Sequence, residues 1–266
     1  MRILVLNADY PRFLTWFYRR EPGLENASYA AQMAARNASL FGLADFYSRS
    51  FAAIGHTAAE IHVNNPRLQA AWARERGMAA SKPPGVGAGN AAPAWLQRIV
   101  TPFKSMHHQE RIALLEAVAR RYDLKIWAVR PQTLPASSPL HRCFQGEAWG
   151  AEMYQVLRRS RITFNSHIDL AGREAGNMRL FEATGVGAFL LTDFKDNLET
   201  LFAPDREVAV WRSIDDCLKI IDRHLRDDKR RAEIGRAGQA RTMAQHTYRH
   251  RTSEILGFID GMRARR

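Results

Sequence analysis

The chain has 266 residues, 46% of them hydrophobic, and 39 lysines and arginines against 27 acidic residues give it a net charge of +12. That length and apolar content suit one large α/β domain or two modest ones and exclude a disordered chain. The charge points to an anionic partner: nucleic acid, an acidic membrane surface or a phosphate-bearing metabolite. The two cysteines, Cys143 and Cys217, form no CxxC pair and no zinc-type spacing. Neither a disulfide framework nor a structural metal is signalled, and a reducing cytosol fits best. No apolar stretch reaches the length of a membrane helix, so any membrane contact is expected to be peripheral.

Residues 2–7, RILVLN, read as a buried first strand that runs into the turn cluster NADYP. Asp9 ends that strand, where a carboxylate could serve as general base toward an acceptor hydroxyl; a plain turn residue ahead of Pro11 is the competing reading. From Ala27 to Ala53 the apolar period predicts helix, through Met33, Phe41, Leu43 and Phe46, and a second strand follows at AAEIHVNN. The composition then changes to GMAASKPPGVGAGNAAP, a linker or exposed loop. The expected organisation is therefore a partial region over residues 1–76, a Gly/Pro/Ala-rich linker over 77–97 and a second domain over 98–266.

His107 and His108 precede a helix at ERIALLEAVARR, from whose N-terminus His107 could reach a phosphate; a solvated helix entry is the alternative. A strand at LKIWAV, a helix at WGAEMYQVLRRS, a strand at RITFN, a helix at NMRLFEAT, a strand at AFLLTD, a helix at NLETLF and a strand at EVAVW come next. This alternation implies a mostly parallel sheet with helices on both faces. From Ile214 the chain reads as helical and basic. Its arginines, among them Arg230, Arg231, Arg236 and Arg241, are interleaved with Asp227, Asp228 and Glu233, as on a solvated helix face.

In a parallel sheet ligands bind beyond the carboxyl ends of the strands. That makes residues 172–193, GREAGNMRLFEATGVGAFLLTD, and the loop before them the place to look. Gly176 and Asn177 open a helix whose unpaired N–H groups suit a diphosphate. Arg179 and Glu182, three apart, would put a phosphate-binding cation and a sugar-diol-binding carboxylate on one face. Glu174, with seven residues between it and Glu182, gives a second carboxylate. His167 follows the strand RITFN toward the same crevice. A solvated Arg–Glu pair, glycines that merely end a helix and a satisfied loop histidine are the structural alternatives.

The runs SRITFNSHIDLAGREAGNMRLFEATGVGAFLLTDFKDNLETLF and AGQARTMAQHTYRHRTSEIL resemble the C-terminal domain of CgeB-like glycosyltransferases, relatives of the group 1 glycosyltransferases with the GT-B fold. MRILVLNADYPRFL through AAEIHVNN resembles the start of that family's N-terminal domain. The resemblance implies two Rossmann-like domains, the C-terminal one binding a nucleotide-sugar donor and the N-terminal one shaping the acceptor side. Under it, Glu182 holds the donor ribose, Asn177 and Arg179 flank it, and Glu174 fits the two-glutamate spacing of the wider group. A full N-terminal domain of this fold needs more strands than the two that precede the linker, so that domain is expected to be abbreviated.

The expected function is transfer of a sugar from a nucleotide-diphosphate-sugar donor to an unidentified glycan, lipid or protein hydroxyl. Asp9 and Glu174 are the candidate catalytic residues, and Glu182, Arg179, Asn177, Gly176, His167 and His107 the candidate donor-binding residues. No metal is needed in principle, because helix-terminal N–H groups and cations can offset charge on the leaving diphosphate. The alternatives are a non-catalytic nucleotide-binding or scaffold remnant and, from another class, a basic nucleic-acid-binding protein.

Overall fold

Two separate sheets, both of parallel strands, form among the described residues. The computed structural model describes residues 1–79, 110–167 and 172–265. The predicted linker beyond residue 79 and His107 lie outside the described residues. Among those described, one compact unit comprises residues 1–79, 149–151 and 247–265, and a second comprises 110–148 and 152–246.

In the first unit, β1 (Arg2–Asn7) and β2 (Thr57–His62) pair in parallel, from Arg2 opposite Thr57 to Asn7 opposite His62. Four helices connect and follow them: α1 (Pro11–Arg20), α2 (Tyr29–Ala38), α3 (Phe46–Ala53) and α4 (Pro66–Glu75). Proline opens α1 and α4, where its missing N–H costs no helical bond. Ser28 caps α2 and Asn65 caps α4. The continuous apolar period between Ala27 and Ala53 predicts one helix, but two form. Leu40, Gly42 and Ala44 take left-handed φ values of 58°, 59° and 43°, which no helix continues through. The reversal stacks Phe41 on Phe13 with ring centroids 3.9 Å apart, and Trp149 closes the cluster edge-on to Phe41. Gly150 also has positive φ, and a Cβ there would collide with the Ser39 carbonyl that accepts the Ala151 N–H. The last helix of this unit, which is numbered α11 below, is Tyr248–Ala264; Tyr248 packs on Phe46 and Tyr47 of α3. On β1, Asn7 is buried, whereas Leu4 and Leu6 on the opposite face are 57% and 65% exposed.

The second unit has the strand order β3 (Thr163–Phe164), β4 (Leu190–Asp193), β5 (Ala209–Trp211). Its helices are α5 (residues 110–121), α6 (Ala151–Arg159, all but its first residue in this unit), α7 (Met178–Gly185), α8 (Leu198–Leu201), α9 (Ile214–Leu225) and α10 (Asp228–Gln245). Side chains alternate between the faces of a strand, and β4 shows what each face meets. Phe189 and Leu191 pack with Leu114 and Val118 of α5 and Leu218 and Ile221 of α9. Ala188 and Leu190 pack with Leu157 of α6, Leu180 and Ala183 of α7 and Leu198 of α8. Helices thus cover both faces of this sheet, the usual state of parallel strands. The predicted strand LKIWAV does not join it. Among the described residues only single bridges form there, with Ile126 exchanging hydrogen bonds of 2.8 and 2.9 Å with Cys143 and Gln145, and Trp127 and Val129 stay exposed.

A stripe of small residues on α10 brings that helix against the ends of β4 and β5. Gly235 and Gly238 are three apart on one face; a Cβ on Gly235 would stand 2.6 Å from the Gly187 carbonyl oxygen, and one on Gly238 would overlap the Glu207 carbonyl. One turn on, Thr242 shares a 2.6 Å hydrogen bond with Thr184 of α7. Alanine is the better helix former by about 1 kcal/mol, but overpacking against fixed backbone costs about 1–3 kcal/mol. Gly238→Ala is therefore expected to lower the thermal midpoint. Gly257→Ala in α11, with nothing within 4 Å of its Cβ position, should leave it equal or higher. A fall of similar size in both variants would refute the close-packing account.

Candidate functional site

Because β3, β4 and β5 run in parallel, their carboxyl ends deliver three short segments to one end of the sheet: Asn165 to His167, Asp193 to Lys195 and Trp211 to Ser213. A cavity of about 760 Å³ opens there, lined chiefly by Arg111 of α5, His167, Asp193, Lys195, Trp211 and Arg212.

Asp193 organises it. One carboxylate oxygen, Oδ1, accepts the backbone N–H of His167 at 3.0 Å and lies 2.7 Å from His167 Nδ1. A carboxylate only accepts, so Nδ1 carries the proton in this pair. Thr192 Oγ1 donates to the same oxygen at 3.3 Å, and Asn165 Nδ2 in turn donates to Thr192 at 3.0 Å. Burial alone would raise the pKa of Asp193, but the hydrogen bonds from His167 and the charge of Lys195 outweigh it and hold the carboxyl below its usual range. Lys195 Nζ stands 3.6 Å from Asp193 Oδ2 and donates to the Gly172 carbonyl at 2.7 Å. Arg111 donates to the His167 carbonyl at 3.0 Å, and the Arg212 guanidinium lies over the Phe194 ring, 3.6 Å from its centroid. The arrangement offers three cations and one carboxylate-oriented imidazole to an anion.

The residues singled out on α7 stand next to this cavity in sequence and do not line it. Asn177 caps α7 by accepting from the Leu180 N–H at 3.1 Å, and its Nδ2 donates to Asn165 Oδ1 at 2.9 Å, which ties the helix start to the end of β3. Gly176 and Glu174 are exposed. Arg179 and Glu182 form an ion pair of 3.1 Å in which Glu182 is largely buried. That burial raises the Glu182 pKa, only partly offset by Arg179. Tyr154 on α6 is pushed up to about 12 by its own burial and then by the Glu182 charge. Among the described residues, His167 is thus the one predicted site residue that the structure brings to the cavity wall; Glu182 and Arg179 pair with each other away from it.

Asp9 belongs to the first unit and is buried. Both of its oxygens are engaged: Oδ1 accepts from Arg36 at 2.5 Å and Oδ2 lies 3.2 Å from His62 Nδ1. Burial opposes its ionisation, yet His62 and Arg36 together keep its pKa below the ordinary carboxylate value.

Residues 109–257, more than half of the chain and including the whole cavity wall, match the family described as glycosyl transferase-like. The chain belongs to that family. Its general role is glycosyl transfer, with a sugar donor and an acceptor, and the α/β architecture with parallel sheets is that of a GT-B-like fold. No curated protein matches the chain. Among the described residues no helix is long and apolar enough to cross a membrane.

Sequence reasoning missed Asp193, Lys195, Trp211 and Arg212. The signal that finds them is positional: LTDFK and VWRS each straddle the carboxyl end of a strand, so a parallel register places them beside His167.

Proposed function

We propose that the protein is a CgeB-like glycosyltransferase that moves a sugar from a nucleotide-diphosphate donor to a hydroxyl of an unidentified acceptor in the cytosol. The second unit takes the donor and the first unit shapes the acceptor side. The observation that supports this most is the cation-lined cavity at the carboxyl ends of β3–β5, where Arg111, Lys195 and Arg212 converge in a glycosyl transferase-like chain. Those cations would offset the charge that develops on the leaving diphosphate, so the reading calls for no metal. Glu182 is assigned to the donor ribose, with Asn177, Gly176 and Arg179 at the adjoining helix start and Glu174 on the loop before it. Asp9, with both oxygens engaged, is assigned to holding the strand ends of the first unit in place.

The test is a thermal-shift panel of nucleoside diphosphates and nucleotide sugars on the whole chain. A ligand at one hundred times its Kd stabilises the native state by about 2.7 kcal/mol. Stabilisation selective for one base is the expected result, and it names the donor for a transfer assay; no shift with any nucleotide would sink the reading. A second reading, nucleotide binding without transfer, draws on the two-stranded sheet of the first unit among the described residues. It predicts the same shift with no acceptor-dependent product.

A further inference from the structure

Two residues of the cavity wall carry a buried polar atom with no partner among the described residues: Nε2 of His167 and Nε1 of Trp211. Leaving such an atom unpaired costs about 1–3 kcal/mol, and native proteins seldom do so without a water, a ligand or a function to account for it. The two atoms differ in what they ask for. An indole N–H only donates, so whatever meets Trp211 must accept. His167 has its Nδ1–H committed to Asp193, which leaves Nε2 as the ring's open position, a donor when the imidazole is charged. The same wall holds Arg111, Lys195 and Arg212, each a donor with no acceptor capacity. Among the described residues its only acidic members are Asp193, already bonded to His167, and Glu110 of α5. A wall this rich in donors is built for a group made of acceptors.

We infer that the cavity seats the diphosphate of the donor through His167 Nε2 and Trp211 Nε1, with Asp193 as the positioning residue that keeps the His167 ring turned so that Nε2 stays open. This rests on the donor reading above and adds to it the atoms that grip the phosphates. A phosphate bridging donors of this kind is bound in charge-assisted hydrogen bonds, about twice as strong as neutral ones. The imidazole shares its proton with Asp193 on one side and lends one to phosphate on the other.

The experiment is calorimetric titration of the full chain with inorganic pyrophosphate, a panel of nucleoside diphosphates and the matching nucleosides. In His167→Ala, pyrophosphate and the diphosphate should bind at least about tenfold more weakly, while the nucleoside is bound as before. Trp211→Phe should show the same pattern with a smaller loss. His167→Gln, which keeps an N–H near the place of Nε2, should recover part of the affinity lost in His167→Ala and guards against simple misfolding. Asp193→Asn should weaken diphosphate binding in the parent chain and add little in the His167→Gln background, a coupling that general structural damage would not produce. Equal losses for nucleoside and diphosphate, or no loss for either, overturn the inference while the donor reading stands. If pyrophosphate binds in a His167-dependent way and no nucleoside diphosphate does, the phosphate seat stands and the donor reading falls. If neither pyrophosphate nor any nucleotide binds the parent chain, both are wrong.

Discussion

Asp9→Asn is expected to destabilise the first unit by about 3–5 kcal/mol, the usual cost of removing one partner from a buried ion pair and leaving the other charge uncompensated. Arg36 would be that charge. Its side chain is 2% exposed and donates to Asp9 through Nη2 and Nε, while Nη1 donates to the Phe41 carbonyl at 3.0 Å. The Phe13 and Phe41 rings lie 5.6 and 6.0 Å from its guanidinium carbon, so the charge sits against aromatic faces. The pH dependence has a definite sign. The folded carboxyl titrates below its unfolded value of 3.8, so its contribution is complete above that value and is lost as pH falls through the lower folded one. The gap between parent and variant stability should therefore be constant at neutral pH and narrow in acid. Chemical denaturation at neutral and strongly acidic pH measures it. A variant with unchanged stability but abolished transfer would point instead to Asp9 as the general base of the sequence reading.

Strands and helices with strong apolar runs were legible in the sequence, and the ways they join were not. RILVLN reads as a strand over the same residues that form β1, and NMRLFEAT lies within one residue of α7, because period and capping residue agree there. The break between α2 and α3 is hidden because SLFGLADF keeps a helical spacing of apolar side chains while its backbone turns left-handed at Leu40, Gly42 and Ala44. LKIWAV has every mark of a strand, but ladder formation depends on a neighbour, and its partner segment around Phe144 supplies only bridges. Propensity is local; pairing is not.

The cavity was half legible for the same reason. His167 could be placed from one strand end, since a residue just past RITFN must lie at the carboxyl edge of a parallel sheet. Its partner Asp193 is 26 residues away and enters only when the register Thr163 to Leu190 aligns β3 with β4. Trp211 and Arg212 need one more strand. The burial of Glu182 was likewise out of reach, because a helix wheel shows which residues share a face and not what that face meets.

That burial sets the second large effect. Glu182→Gln should weaken donor binding by about 10–100-fold, the worth of about 1.5–3 kcal/mol for hydrogen bonds to a charged group. In the free protein burial favours the neutral form of Glu182: its folded pKa is above 4.5, so in the window between its unfolded and folded values stability falls as pH rises. Removing the charge is therefore expected to leave stability near neutral pH unchanged or slightly higher, even though Arg179 loses its partner. Ribose hydroxyls donating to the carboxylate favour its charged form. Donor binding should accordingly release a proton from Glu182 in mildly acidic solution, detected as a dependence of the calorimetric enthalpy on the ionisation heat of the buffer. Glu182→Gln should abolish that dependence together with the affinity. If Glu182 serves only as the ion-pair partner of Arg179, the variant binds donor as the parent chain does and the buffer dependence survives. The two candidate roles of one carboxylate, ion-pair partner and ribose ligand, thus separate in a single titration.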